Sequence, residues 1–219
     1  MPERTVRLGD GSSITIRPIR PDDRRGLAEG FTRLSPESRY RRFFTSKASL
    51  GRRELDYLTE IDHHDHEALL AIDPAGGDGV GVARYVRTGR GVAEPAIVVA
   101  DDWQRRGVGT ALLLALIERA RDEGIVRFEA PVLASNRDAI RVLEHVGEAA
   151  RTQSGSELVL TIDLPDPAPP GHWRELLGHF GAGALVPART VIQLLRRGRG
   201  RGGHEDEEAT AASTPGELE

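Results

Sequence analysis

The sequence predicts an α/β fold: a mixed, mostly antiparallel sheet flanked by helices, with its central strands splayed apart. Three observations predict it. Short strand-like segments bounded by turn formers occupy much of the first hundred residues, the apolar period lengthens to that of a helix at Val108, and strand and helix patterns alternate from there to Leu164.

Residues 5–8 and 13–17 alternate apolar with polar around Gly9-Asp10-Gly11, the mark of a hairpin. Pro21-Asp22-Asp23 opens a helical stretch to about Leu34. Ser35-Pro36-Glu37 opens a second through Phe44, because proline is tolerated in a first turn, and a third covers residues 52–61. Residues 68–73, 79–86 and 92–100 read as successive strands separated by Pro74-Ala75-Gly76-Gly77-Asp78 and Gly89-Arg90-Gly91, an antiparallel meander. Pro95 cannot donate to a ladder, so a bulge or a parting of strands is expected near it, and a parted strand leaves amides free for a ligand. From Val108, the residues Val108, Leu112, Leu113, Leu116, Ile117 and Ala120 share one helical face, and Gly124 supplies the stop. A strand over 125–133, a helix over 137–146 closed by Gly147, and a last strand over 157–164 follow. The strand-helix-strand unit predicts two parallel neighbouring strands with a right-handed crossover.

These elements make one domain over residues 1–164. Residues 165–171, PDPAPPG, form a proline-rich linker; 172–200 form a short helical appendage; and 201–219 form an acidic, low-complexity tail expected to be disordered. The basic, apolar stretches of the appendage suit contact with an anionic membrane or a partner, the alternative to a plain extension. The chain has no cysteine, which rules out disulfides, thiolate zinc sites and a cysteine nucleophile. An N-terminus without an apolar core and the lack of any long uncharged apolar run point to a cytoplasmic protein. A net charge of -4 gives no general field for nucleic acid.

The segment Asp101-Asp102-Trp103-Gln104-Arg105-Arg106-Gly107-Val108-Gly109-Thr110 joins a strand to the strongest helix. A helix N-terminus offers unpaired N–H groups and about half a positive charge. Gly107 and Gly109 admit a phosphate to the main chain, and Arg105 and Arg106 add charge, so the loop reads either as a diphosphate cradle or as a shaped strand-to-helix turn. No Gly-Lys-Ser/Thr closes it, and the third glycine of a dinucleotide fingerprint falls at Leu112. Asn136, before the next helix, reads as its cap or as a ligand contact. His63, His64, Asp65 and His66 invite a metal, but an exposed polar loop is the plainer reading. In residues 38–44, SRYRRFF, alternating basic and aromatic residues suit nucleic acid. On a helix they divide instead into a core face of Tyr40, Phe43 and Phe44 and a solvated basic face.

The ordered set Gln104-Arg105-Arg106-Gly107-Val108-Gly109 after a strand, then N-x-x-A from Asn136, resembles the cofactor-binding core of GNAT acetyltransferases, and the likeness extends from Arg17 to about Leu164. The text "IRPIRPDDRRGLAEGFTRLSPESRYRRFF" and "IDHHDHEALLAID" looks more narrowly like the acetyltransferase domain of bacterial protein-lysine acetyltransferases. The resemblance implies a GNAT-like fold and acetyl-CoA as co-substrate, with no metal. Its pyrophosphate would lie on Gln104, Arg105, Arg106, Gly107, Val108 and Gly109, and its pantetheine arm on main-chain groups of Ala96, Ile97 and Val98. Thr110 and Asn136 would add contacts. It also implies an amine acceptor, a protein lysine ahead of a small amine, with Glu94 as the general base. A lysine ammonium holds its proton to a pKa of about 10.4, and a carboxylate partly buried between strands has its own pKa raised and so suits the removal of that proton. An ordinary solvent-facing strand carboxylate is the plain alternative for Glu94, and a non-catalytic acyl-CoA sensor the alternative for the whole. Many relatives carry a tyrosine acid in the helix after the asparagine; here Val142-Leu143-Glu144-His145 stands there, leaving solvent, Tyr85 or His145 to protonate the thiolate.

Overall fold

The structure, a computed structural model, describes residues 1–43, 48–144, 146, 149–155 and 157–165. The predicted linker beyond Pro165, the appendage, the tail, Phe44 and His145 lie outside the described residues.

The opening hairpin pairs β1 (Arg4–Arg7) with β2 (Ser13–Pro18). The helix expected from Pro21 is divided into a 3-10 turn, Pro21–Asp23, and α1 (Arg24–Arg33). Asp23 explains the division: its carboxylate accepts the Arg20 N–H at 2.7 Å and both terminal nitrogens of Arg17 at 2.6 and 2.7 Å, which fixes the chain before the helix starts. Next come α2 (Pro36–Phe43) and α3 (Arg52–Thr59), then the meander of β3 (His66–Ile72), β4 (Gly79–Gly89) and β5 (Val92–Val99), antiparallel as expected. The second half holds α4 (Val108–Asp122), β6 (Arg127–Leu133), α5 (Arg137–Glu144), β7 (Ala149–Ser154) and β8 (Glu157–Asp163).

The eight strands form one sheet in the order β1-β2-β3-β4-β5-β6-β8-β7. Every described pairing is antiparallel except β5 with β6, and that pair touches only at Val92↔Arg127 and Ala93↔Phe128. From Glu94 onward the two strands part. The ladder between β4 and β5 runs straight through Tyr85↔Pro95, and its irregularity falls at Arg87/Gly89 instead. Pro95 therefore marks the parting and not a bulge. A residue without an N–H is tolerated in a central strand where one edge has no partner to bond.

β7 has no counterpart among the predicted elements. It is an edge strand whose residues 150–153 are exposed, held by its ladder to β8, so its sequence carries no apolar alternation to read. By contrast α4 is buried without a break from Val108 to Ile117 and is covered more widely than a one-faced amphipathic helix. Leu112, Leu113, Leu116 and Ile117 pack in one cluster with Leu69, Ala83, Tyr85 and Ile97. The opposite sheet face carries α1, α2 and α3, with Phe31 and Leu34 in contact with Val98, and Leu58 with Ala96. No described helix is long and apolar enough to cross a membrane.

Gly81 shows how tightly α4 sits. A Cβ there would stand 3.0 Å from Leu112 Cδ1, 3.1 Å from the Val98 carbonyl oxygen and 3.4 Å from Val108 Cγ1. Overpacking against backbone cannot be relieved by a rotamer change, so Gly81→Ala should destabilise the fold by about 1–3 kcal/mol. Urea unfolding of the two proteins, read as a lower midpoint at unchanged slope, checks this.

Candidate active site

Strand alternation sorts β5 into two faces. Ala93, Ile97 and Val99 join the cluster beneath α4, while Glu94, Ala96 and Val98 face α1–α3 together with Val82, Arg84 and Val86 across the ladder. Glu94 is buried at 7% exposure, so of the two readings the solvent-facing carboxylate does not hold. Val86 stands opposite it on β4, and His66 opposite Val86 on β3, so the three form one row across the sheet.

Arg84 lies next to this row and is fully buried. Its Nη1 donates to His66 Nε2 at 3.2 Å and its Nη2 to the Leu58 carbonyl at 3.3 Å, in the last turn of α3, where the helix dipole favours a cation. Burial pulls Arg84 down to about 10, and burial followed by the Arg84 charge pushes His66 down to about 3, so His66 is a neutral acceptor. The Tyr57 ring tilts over His66 with centroids 5.0 Å apart. Between α1 and strands β4 and β5 runs a cleft, partly open to solvent, lined by Leu27, Phe31, Leu34, Val82, Arg84 and Val98 among others.

At the other end of β5 the chain makes a 3-10 turn, Asp101–Trp103, and then takes two left-handed residues, Arg105 at φ 61° and Gly107 at φ 96°. Gly107 is the N-cap of α4. The helical ladder begins with the Ala111 N–H on the Gly107 carbonyl at 3.0 Å, so the amides of Val108, Gly109 and Thr110 lie ahead of it. No side chain caps this end, and no acidic residue occupies its first turn. The Thr110 hydroxyl is buried without a hydrogen-bond partner. Uncapped donors, a glycine in a conformation that β-carbons resist, an orphaned hydroxyl and the exposed Arg105 fit an anionic diphosphate.

Gln104 and Arg106 are engaged within the protein. Gln104 Nε2 donates to the Val99 carbonyl and to Asp101, both at 3.1 Å. Arg106 Nε pairs with Asp10 of the opening hairpin at 2.6 Å, and its guanidinium lies 4.1 Å from the centroid of the Trp103 ring. Hydrogen bonds from Ser12 and then Arg106 hold the Asp10 carboxyl down at about 2. The Arg106 charge is thus matched, and its side chain braces the loop. Asp10, Asp101 and Trp103 had not stood out in the sequence as site residues. Asp101 also accepts from the Ser35 N–H at 2.6 Å and from the Ser38 hydroxyl, tying the start of α2 to the loop. The acidic pair preceding the glycines was the available signal, but its partners are more than sixty residues away.

Asn136 is buried, and its Oδ1 accepts the Ala139 N–H at 3.3 Å, which is the cap reading. Tyr85 is on the α4 face and donates its hydroxyl to the His64 carbonyl at 3.1 Å, away from the Glu94 face. Tyr40, placed in a core face by the helical pattern, is 49% exposed. The buried neighbour is Ser38, drawn in by its bond to Asp101. The histidine-rich segment is only partly an exposed loop. His63 bonds Glu67 at 2.7 Å and His64 bonds Glu123, within a network in which Arg119 meets Glu67 at 3.0 Å.

The profile of the acetyltransferase (GNAT) family matches residues 33–147, more than half of the chain. The chain belongs to the GNAT family. The match runs from the end of α1 past α5 and so takes in the row at Glu94, the parted strands and the helix mouth. Among GNAT relatives, the Acetyltransferase Pat of Mycolicibacterium smegmatis is 33% identical over 162 residues, 73% of this chain and 48% of that protein. The chain thus spans about half the length of that relative. An acetyltransferase of Pseudomonas aeruginosa is 34% identical over 133 residues, 59% of this chain and 72% of that one. The solved GNAT domain of S. lividans PAT superposes with a TM-score of 0.69 at 34% identity, covering 74% of this chain and 97% of that domain.

Proposed function

We propose that the protein is an acetyl-CoA-dependent N-acetyltransferase whose acceptor is a protein lysine. The observation that carries this reading is the placement of two features on one strand. β5 has a buried glutamate where it leaves β6, and at its far end it leads to an uncapped, glycine-started helix. The edge of β5 facing β6 offers main-chain groups of Ala96, Ile97 and Val98 to the amides of the pantetheine arm. The amides of Val108, Gly109 and Thr110, with Gly107 and Arg105, take the diphosphate, while Gln104 and Arg106 hold the loop in shape. Asn136 supports the rim by capping α5.

Acetyl-CoA supplies an activated thioester. Glu94 removes the ammonium proton, directly or through a water, and the freed amine attacks the thioester carbon. Strand amides stabilise the oxyanion, and holding both reactants in line accounts for much of the remaining rate. Direct attack forms no covalent intermediate with the enzyme and needs no metal. The lysine assignment rests on the likeness of the α1–α2 and β3 sequences to bacterial protein-lysine acetyltransferases.

The test is mass spectrometry of cell extract incubated with labelled acetyl-CoA and the purified chain. Label on protein lysines supports the reading. Label confined to small amines moves the acceptor class, and no label above a protein-free control rejects turnover in favour of an acyl-CoA sensor.

A further inference from the structure

Collapse of the tetrahedral intermediate breaks the carbon–sulfur bond and leaves a thiolate, which must take up a proton. The helix position where many relatives keep a tyrosine has none here, and Tyr85 is committed on the opposite face of the sheet. Of the three tyrosines in the chain, Tyr40 is on α2 with about half its surface exposed. That leaves Tyr57.

Tyr57 is half-buried on α3 and packs against the cluster of Leu58 and Ala96, against which Val86 also packs. Val86 is the direct cross-strand neighbour of Glu94, and Ala96 is two residues along the same face of β5. The ring also tilts over His66. Tyr57 therefore lies over the Glu94 face of β5 at Ala96, next to the main-chain groups proposed for the pantetheine arm. Its hydroxyl makes no hydrogen bond among the described residues, in contrast with Tyr85, so it is available to a ligand. We infer that Tyr57 donates the proton that the leaving thiolate takes up.

The inference rests on the transferase reading above. The charged and titratable groups around Tyr57 are Arg84 from β4, Glu94 from β5 and the neutral His66 from β3, while Arg24 of α1 is occupied with Asp56 and Glu60. Burial first, and then Glu94, hold the Tyr57 hydroxyl above the usual phenol range, with Arg84 opposing, so it keeps its proton at neutral pH. The protons balance: Glu94 passes one from the ammonium to solvent, Tyr57 gives one to sulfur, and the phenolate regains one from the amide nitrogen as it forms. The products are an amide, free thiol and one proton.

Two variants test this beside Glu94→Gln in one assay, with circular dichroism confirming the fold of each. Tyr57→Phe should lower kcat by about a hundredfold with coenzyme A affinity and acceptor KM unchanged. Replacing Tyr57 by 3-fluorotyrosine, a more acidic phenol, should keep transfer and move the alkaline limb of the pH–rate profile to lower pH. Full kcat in Tyr57→Phe, in a parent that needs Glu94, overturns the inference and leaves the transferase reading standing. A slow Tyr57→Phe with an unmoved limb in the fluorinated protein also overturns it, because a merely structural role would give that pattern. A parent without transfer overturns both.

Discussion

Glu94→Gln should lower kcat for transfer from acetyl-CoA to an amine by about 10²- to 10⁴-fold, the range general acid–base groups contribute. Glutamine keeps the size and polarity of the side chain but cannot take a proton. Binding of coenzyme A should stay as it is, because the cradle is at the other end of β5, beyond residues 95–99. The limb of the pH–rate profile that reports the base should vanish with the rate. Steady-state kinetics with an acceptor peptide, alongside calorimetric titration of coenzyme A, separates the two effects. A variant with parental kcat would mean that the buried carboxylate is structural, and water or another group would then have to deprotonate the acceptor.

Gly107→Val acts at the opposite end of the strand. Gly107 sits at φ 96°, where a β-branched residue is an outlier, so the substitution costs about 1–3 kcal/mol of strain or forces the loop to rearrange. Either response disturbs the amides of Val108, Gly109 and Thr110, and coenzyme A affinity should fall by about ten- to a hundredfold. The α4 core begins at Val108 and continues through Ile117, so the helix itself should persist, with the loss concentrated in binding and not in helical content. Equal coenzyme A affinity in Gly107→Val and parent would show that this loop only turns the chain.

The elements legible in the sequence are those that are buried. The meander strands, α4 with its glycine stop, and the parallel pair formed by β5 and β6 are apolar runs bounded by turn formers or helix stops, and the change from strand to helical spacing at Val108 separates them. β7 escaped because an exposed edge strand is held by its neighbour's backbone and has no pattern of its own. The helix mouth was legible for a similar reason: glycines at fixed offsets from a helix start leave a local trace. Pairings across the chain leave none. Asp10 and Arg106 are 96 residues apart, and nothing near Arg106 says that its charge is already matched. His66 read as part of a polar loop because its partner Arg84 lies on the next strand, and only the register brings them together. Pro95 was legible as a disturbance, but whether it marks a bulge or a parting depended on β6, which lies more than thirty residues further on. Tyr57 carried no signal at all, since its position matters through the β4–β5 ladder it covers.

That the open start of α4 grips a diphosphate while β5 guides the rest of the cofactor is tested most directly by calorimetry of the purified chain against coenzyme A and against pantetheine, which lacks the diphosphate. Saturable uptake of coenzyme A, with pantetheine bound far more weakly, is the predicted result. No heat with coenzyme A, or equal affinity for the two, would contradict the account.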